Sequence, residues 1–450
     1  MNLAFEIAKK GLQNSQISLN VATNNMVNAE NENYTRQVAN VKSSLYLTKG
    51  NYTLGTGATI TSVDRVRLGF YDRQYRDNIG VYSGSATKTE ALIRIETYFG
   101  SLDGSTGLKV TLNSFFDSLE ELSKNPESTG IKSTVKDAAI SLTTSFNQIS
   151  TSLQTMKEQY SSYTVEKVAE TNKLLENLQI VNDEIGRVTA MGSVPNTLLD
   201  ERDALLDKLA STMDISVVEN KNNMVSVVSN GHVLVQPGMC EKLSVEVTNG
   251  YAVSVKYSDG RDFKSVDGNL QAHIDITNST IPKYIDTLDT LAVDFMNAFN
   301  AIHENGFATD GSTGIKFFEG NSAKNMTVSA EILANSDKIA TSADGTTGNS
   351  EIVLALIGIN KNATIDGKYG VMEYYDKMNA GLSGETNAME AKMNNYKVVS
   401  EEILQLRANE IGVNTDEETI NILKYQQAYS AASKIIQTIN EMFDTLISAV

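Results

Sequence analysis

The sequence predicts a multi-domain, mainly α protein with coiled-coil-like terminal helices and an inserted antiparallel β domain. The two ends carry the first observation. Met1, Phe5, Ala8, Leu12, Ser15, Leu19, Ala22 and Met26 recur at alternating spacings of four and three, and Ile422, Tyr425, Tyr429, Ala432, Ile436, Ile439, Phe443 and Leu446 nearly repeat the pattern. Such spacing puts every side chain on one narrow helical stripe, the seam of a coiled coil. The second observation is an unbroken 4-3 run through Val135, Ala139, Leu142, Phe146, Ile149, Leu153, Met156, Tyr160 and Tyr163, continued less regularly by Leu174, Leu178, Val181, Ile185 and Val188. The third is a change to period two at Asp214, with Asn-Gly and Asp-Gly pairs between short β-branched segments.

In chain order, the first seam helix covers residues 1–28 and fades into Asn28-Ala-Glu-Asn-Glu-Asn33. Residues 34–66 alternate polar and β-branched types around Gly50, Gly55 and Gly57, which predicts short strands and turns. A helix spans about 70–98, closed by Gly100, and another spans 108–124, stopping before Pro126. The central helix ends at Gly192 and Pro195 and is roughly 85–90 Å long at 1.5 Å per residue. A further helix follows Asn196. Segments over 214–276, with turns at Asn230-Gly231, Asn249-Gly250 and Asp259-Gly260, read as antiparallel β hairpins. Pro282 suits the first turn of a helix running to about His303. A polar loop covers 305–314, 325–370 is mixed, and helices return from 372 to 411 before Gly412. In the last helix Thr415 is the expected N-cap, Glu418 closes a capping box, and Asp416-Glu-Glu418 complements the dipole.

An isolated terminal helix cannot bury its stripe alone, so each end needs the other end, and then neighbouring copies of the chain. The economical organisation is nested. Residues 1–50 plus 412–450 form terminal assembly helices, 51–213 plus 282–411 a long-helix body, and 214–281 an outermost antiparallel β domain.

Composition excludes several classes. A net charge of −17 over 450 residues argues against nucleic acid or an anionic membrane as main partner. No apolar run approaches the ~20 residues that span a bilayer, so no membrane insertion is expected. The N-terminus lacks the basic region and apolar core of a signal peptide, leaving the cytoplasm or export without cleavage. The single cysteine, Cys240, offers no disulfide framework and reads as a small buried hydrophobe. The scarcity of proline, four in all, suits long uninterrupted helices.

Nothing in the chain supports catalysis, a cofactor or a metal. His232, His273 and His303 stand alone, without ligands at metal spacing. Asp310-Gly-Ser-Thr-Gly314 lacks the carboxylate alternation of a calcium loop and reads as a turn. Asp200, Glu201 and Asp203 could supply a carboxylate pair for glycoside hydrolysis. With Arg202 and Lys208 close by, an ion-paired or solvated helix start is the far better reading.

Literal motifs add a resemblance over nearly the whole chain. Gly11-Leu12, Leu19-Asn-Val-Ala-Thr-Asn24-Asn25 and Tyr34-Thr35-Arg36-Gln37, then Leu54-Gly-Thr-Gly57 with Val63, Arg65, Gln74 and Arg76, mark the N-terminal part. Leu122-Ser-Lys-Asn-Pro126, Asp200-Glu-Arg-Asp203, and Asn297-Ala-Phe-Asn-Ala-Ile-His303 with Gly306, Gly314 and Phe317-Phe318 mark the body. Gly412-Val-Asn414, Asp416-Glu-Glu418, Tyr425-Gln-Gln-Ala-Tyr429 and Met442-Phe-Asp-Thr-Leu446 mark the end. Together they resemble the flagellar hook-associated protein 1 family, first junction proteins between hook and filament. Two departures stand out. Asn33 replaces a usual Gly before Tyr34, and only a short stretch follows Phe318 where many relatives carry a β-rich insert.

The resemblance implies a structural adaptor joining hook to filament through hook-associated protein 3, located outside the cell in the flagellum and exported without a cleaved signal peptide. It implies self-association in a ring or helical array, contact with hook protein, and termini that order only on assembly. Before export, a chaperone of the type III export apparatus would cover the C-terminal stripe, with Tyr425, Tyr429, Ile436, Ile439 and Phe443 the contact residues. The alternatives are another axial flagellar protein, a surface coiled-coil adhesin, or a cell-wall hydrolase.

Overall fold

The computed structural model describes residues 2–49, 51–100, 107–248 and 250–448. Met1, Gly50 and Asn249, named above, lie outside the described residues. Helix α1 (Asn2–Val27) is followed by strand β1 (Gln37–Ser43), the hairpin β2 (Tyr46–Lys49) and β3 (Tyr52–Gly55), and β4 (Ala58–Arg65), which returns antiparallel to β1 with a bulge at Asn40/Val41. Helices α2 (Gly69–Phe99), α3 (Leu108–Lys124), α4 (Thr129–Ala190) and α5 (Asn196–Thr212) come next. Strands β5 (Ser216–Glu219), β6 (Val225–Ser229), β7 (His232–Gln236) and β8 (Met239–Cys240) form one antiparallel sheet, and β9 (Ser244–Thr248) pairs with β10 (Tyr251–Lys256). The remainder is α6 (Asn269–Asp275), a π-helical turn over Ile276–Thr280, α7 (Ile281–His303), β11 (Phe318–Glu319), β12 (Thr327–Val328), α8 (Ala330–Ala334), α9 (Glu351–Gly358), α10 (Val371–Ile411) and α11 (Thr415–Ser448).

The chain divides into two compact units, the first made of 1–81, 170–242 and 396–450 and the second of 82–169 and 243–395. This division differs from the three-part organisation read from the sequence. Residues 214–281, read as one β domain, are shared between the units. In the first unit, the buried Asn182 of α4 brackets the peptide of Val225, accepting from its N–H at 2.7 Å and donating to its carbonyl at 3.1 Å, while Asp183 accepts from Gly238 N–H at 2.9 Å. Those bonds dock the four-stranded sheet onto α4. The tight turn between β6 and β7 uses Asn230 (φ 47°) and Gly231 (φ 80°), the left-handed pair that an Asn-Gly hairpin requires. In the second unit, Ser161 of α4 accepts from Ala252 N–H at 2.6 Å and docks the β9–β10 pair. Residues 269–276, read as strand, are helical, and the helix buries Ala272, His273, Ile276 and Thr277 on one face.

The seam of α4 buries Val135, Ala139, Leu142, Phe146, Leu153 and Met156 in the second unit. Tyr163, predicted to continue it, is 43% exposed, and in the first unit Leu175 rather than Leu174 is fully buried. At 1.5 Å per residue the 62 residues of α4 measure roughly 93 Å. The centre of the second unit is aromatic. Phe115, Phe116, Phe295, Phe299, Phe317 and Phe318 interlock with centroid separations from 4.7 to 6.3 Å, a packing in which truncating one ring costs about 3–5 kcal/mol.

Two polar side chains of α7 hold the loop that delivers Phe317 and Phe318. Asn300 Oδ1 accepts from both of their N–H groups at 2.9 Å, and its amide donates to Phe318 O at 2.7 Å. The buried His303 sits 2.7 Å by Nδ1 from Ile315 O and accepts by Nε2 from Ala340 N–H at 3.0 Å. A carbonyl only accepts and an amide N–H only donates, so the ring must be the neutral Nδ1–H tautomer. Close packing here also explains Gly306, where a Cβ would stand 2.9 Å from Ala340 Cβ.

Burial pushes the pKa of both His303 and His273 down to about 4 from 6.5. The unfolded chain takes up these protons first, so the stabilisation is present above about pH 6.5 and falls as pH drops towards 4. The protection free energy of amides in α7 should therefore fall by about 2 kcal/mol per histidine between pH 7 and pH 5. Unchanged protection free energy across that range would contradict the neutral-imidazole assignment.

Candidate functional site

The site lies in the first unit and begins with α1 and α11, which pack side by side. Gly11 faces Ala432, with a Cβ on Gly11 falling 3.9 Å from Ala432 Cβ, and Asn25 reaches Glu418, so the helices run antiparallel. The line of closest approach is made chiefly of small and polar residues: Ala8, Ser15, Ser18, Ala22 and Asn25 are buried on α1, with Glu418, Ala432 and the larger Ile439 on α11. Of the seam read from the sequence, Ala8, Ala22, Ala432 and Ile439 are buried. Phe5, Leu12, Leu19, Met26, Ile422, Tyr425 and Ile436 are half-buried, and Tyr429, Phe443 and Leu446 are 38–47% exposed. Small side chains let the backbones approach and shoulder the larger ones to the flanks.

At one end of this pair a buried carboxylate is held. Glu418 is 2% exposed. Arg36 Nε donates to its Oε1 at 2.9 Å, Asn25 Nδ2 to the same oxygen at 3.1 Å, and Asn421 Nδ2 to Oε2 at 3.3 Å. Glu418 thus does not close a capping box, and Thr415 is not the cap. Asn414 caps α11, its Oδ1 accepting from Asp416 and Glu417 N–H at 3.0 and 3.2 Å. The three acids still occupy the first turn, where they complement the dipole.

Asn25 has a second task. Its Oδ1 accepts from Gln37 N–H at 3.0 Å and from Tyr34 Oη at 2.8 Å, and its amide donates to Gln37 O at 2.9 Å. Asn24 donates to Tyr34 Oη at 3.1 Å. Burial, with Asp200 nearby, pushes the Tyr34 phenol up to about 12, so it remains a hydroxyl donor at neutral pH. Backbone bonds finish the clamp, from Arg36 N–H to Ile411 O at 2.9 Å and from Val66 N–H to Arg36 O at 2.8 Å. Thr35 is fully buried, and its N–H donates to Asp200 Oδ2 at 3.3 Å.

Asp200 leads into a lattice of ion pairs. Arg65 Nη1 lies 2.6 Å from Asp200 and 3.0 Å from Asp203. Arg67 binds Asp72 at 2.6 Å and Asp203 at 2.9 Å, and Arg76 and Arg407 each reach Asp207 at 2.6 Å. Arg202 stands 3.4 Å from Asp203 and donates to Asn223 O at 2.7 Å. These side chains are only 7–16% exposed. Burial alone would raise the Asp203 pKa, but Arg67, Arg202, Arg65 and Arg76 outweigh it and hold the carboxyl below its usual range. The Arg65 guanidinium bridges Asp200 and Asp203, as an ion-paired helix start requires. The arrangement fixes positions.

The motifs noted in the sequence, Asn24-Asn25, Tyr34 to Gln37, Arg65, Arg76, Asp200 to Asp203 and Glu418, therefore converge on one network. Gln74 does not join it: its side chain points to solvent on α2. Sequence reasoning missed Arg67, Asp72, Asp207 and Arg407. Arg67 had a signal, since two residues apart at a strand end places Arg65 and Arg67 on one side.

The fold is that of a solved structure described as the flagellar hook junction protein FlgK from Burkholderia pseudomallei, with a TM-score of 0.66 over 74% of this chain and 99% of that one at 13% identity. Residues 92–318 match the family described as the flagellar hook-associated protein FlgK helical domain, and 409–449 match the flagellar basal body rod FlgEFG protein C-terminal family. Flagellar hook-associated protein 1 of Bacillus subtilis is 31% identical over 99% of this chain and 98% of its own length, and that of Salmonella typhimurium is 23% identical over the full length of both. This chain belongs to the flagellar hook-associated protein 1 family, a family of structural proteins of the bacterial flagellum.

Replacing Asp203 by Ala should destabilise the first unit by about 3–5 kcal/mol, because buried guanidinium groups lose their partner. Urea unfolding monitored by amide exchange in α5 checks it, and a loss under about 1 kcal/mol, the range of an exposed pair, would mean that the lattice is solvated.

Proposed function

We propose that this chain is the structural adaptor at the hook–filament junction. Helices α1 and α11, within residues 1–50 and 412–450, line up with those of neighbouring copies and of hook protein, and present hook-associated protein 3 with its docking surface. The observation that carries the reading is the state of the α1–α11 pair. It is locked at one end by buried charge, yet it leaves Ile17, Ile420, Leu423, Ile435 and Met442 at 39–65% exposure. A stripe of that size on a helix pair calls for further helices alongside.

The same surface and family membership support the remaining assignments. The chain is exported through the type III apparatus and works outside the cell. A chaperone covers Tyr425, Tyr429, Ile436, Ile439 and Phe443 of α11 until α1 displaces it, a helix-in-groove contact. No helix among the described residues is long and apolar enough to cross a membrane.

Cells lacking the gene should carry hooks of normal length without filaments and lose flagellin to the medium, seen by electron microscopy and immunoblot. Filaments still attached to hooks would refute the junction role. A chain with Leu19→Asp or Ile436→Asp should restore neither filaments nor flagellin retention, while amide exchange in the second unit stays as in the unaltered chain. Filament growth with either variant would remove the seam from the mechanism.

A further inference from the structure

The β2–β3 hairpin is exposed on both faces. Leu45, Tyr46, Leu47, Tyr52 and Leu54 are 42–87% accessible, with Leu47 directly opposite Leu54. A free two-stranded ribbon is marginal in water and normally gains its stability from a layer packed on it. Its root, by contrast, is fixed. Lys10 of α1 donates to Ser44 Oγ and Thr56 O at 3.3 Å, and Asn14 brackets the next strand, donating to Ala58 O at 2.8 Å and accepting from Ile60 N–H at 3.2 Å. A rigidly rooted apolar knob with no cover among the described residues of its own chain is a contact surface.

The same unit carries a groove of about 720 Å³. Its walls include Tyr75 and Ile79 of α2, Ala204 of α5, and Leu404 and Ala408 of α10, and Leu404 is 41% exposed. Charge matches as well as shape. Residues 38–63 contain two lysines and no acidic residue in a chain of net charge −17, while the exposed charges at the groove are Glu32 and Lys208 on its wall with Glu30 and Glu410 beside it, a net negative balance, Asp207 being paired with Arg407.

We infer that the β2–β3 hairpin of one copy seats in the α2–α5–α10 groove of the next, a head-to-tail contact between copies of this chain. Knob and groove are different patches of one surface, so the contact is heterologous and propagates from copy to copy around a ring or along a helix. The inference rests on the assembly reading above and names one interface within it.

The test uses two full-length chains carrying Cys240→Ser, one with Leu54→Cys and the other with Leu404→Cys, distinguished by a short tag and produced together in flagellated cells. Sheared appendages are oxidised with copper–phenanthroline and run on non-reducing gels. A disulfide-linked pair containing one chain of each kind, absent when either variant is produced alone, is the expected result, and a chain carrying both substitutions should give a ladder. Incorporation into appendages with links only between two Leu54→Cys chains, or with no links, overturns the hairpin contact and leaves the junction reading standing. Absence of both chains from the appendages, where the Cys240→Ser chain alone is incorporated, means that these positions do not tolerate small side chains, and the head-to-tail seat is then rejected as an open docking surface. Absence of the Cys240→Ser chain too overturns both readings.

Discussion

The first unit depends on a carboxylate that has been taken out of water. Glu418 is 2% exposed, and it is tolerable there only while Arg36 and Asn25 are both in place. Arg36 is placed by its backbone bonds to Ile411 and Val66, and Asn25 by the register of α1 against α11. One buried charge therefore requires the entering helix, the loop after it, the end of α10 and the start of α11 to be correct together. From Asn25 the constraint passes through Tyr34 and Thr35 to Asp200, and so to the arginines that hold β4, α2 and α5. Ion pairs of this kind add little net stability, because desolvation cancels much of the attraction. What they impose is a single arrangement, since every partial version leaves a charge uncovered.

The second unit is held by the opposite strategy. Its aromatic centre and the buried faces of α3, α4 and α7 supply large transfer free energies without directional demands. Directionality is confined to a few points, Asn300 and His303 among them, that fix loops the apolar contacts alone would leave loose. The two units thus differ in kind: one is specified chiefly by charge, the other chiefly by packing.

Much of this was legible in the sequence where a pattern is local and long. The bounds of α2, α3 and α7 lie within a residue or so of those read from periodicity, since helical phase averaged over many turns is robust. The β segments were legible as strands but not as belonging to two sheets, because Asn182 and Ser161, the residues that divide them, sit on a helix far away in sequence. Residues 269–276 were misread since Leu270, Ala272 and Ile276 also fit period two. Glu418 illustrates a different failure. Its position matches a capping box perfectly, yet a competing partner 382 residues away, Arg36, claims the side chain and leaves Asn414 to cap the helix. In the site itself the motif residues were visible individually. Their convergence was not, for no local pattern encodes which arginine will meet which aspartate.

The approach of Gly11 to Ala432 has a geometric corollary. Side chains with one carbon or none where Gly11 meets Ala432 set a narrow gauge for the helix pair there, at the short end of the roughly 8–10 Å range of interaxial distances. In any closed array built from such pairs, the width of one pair and the circumference together determine how many copies fit. Alanine at position 432 is then a dimensional choice, and a bulkier residue there would widen every copy and alter the bore the array encloses, even where each chain still folds.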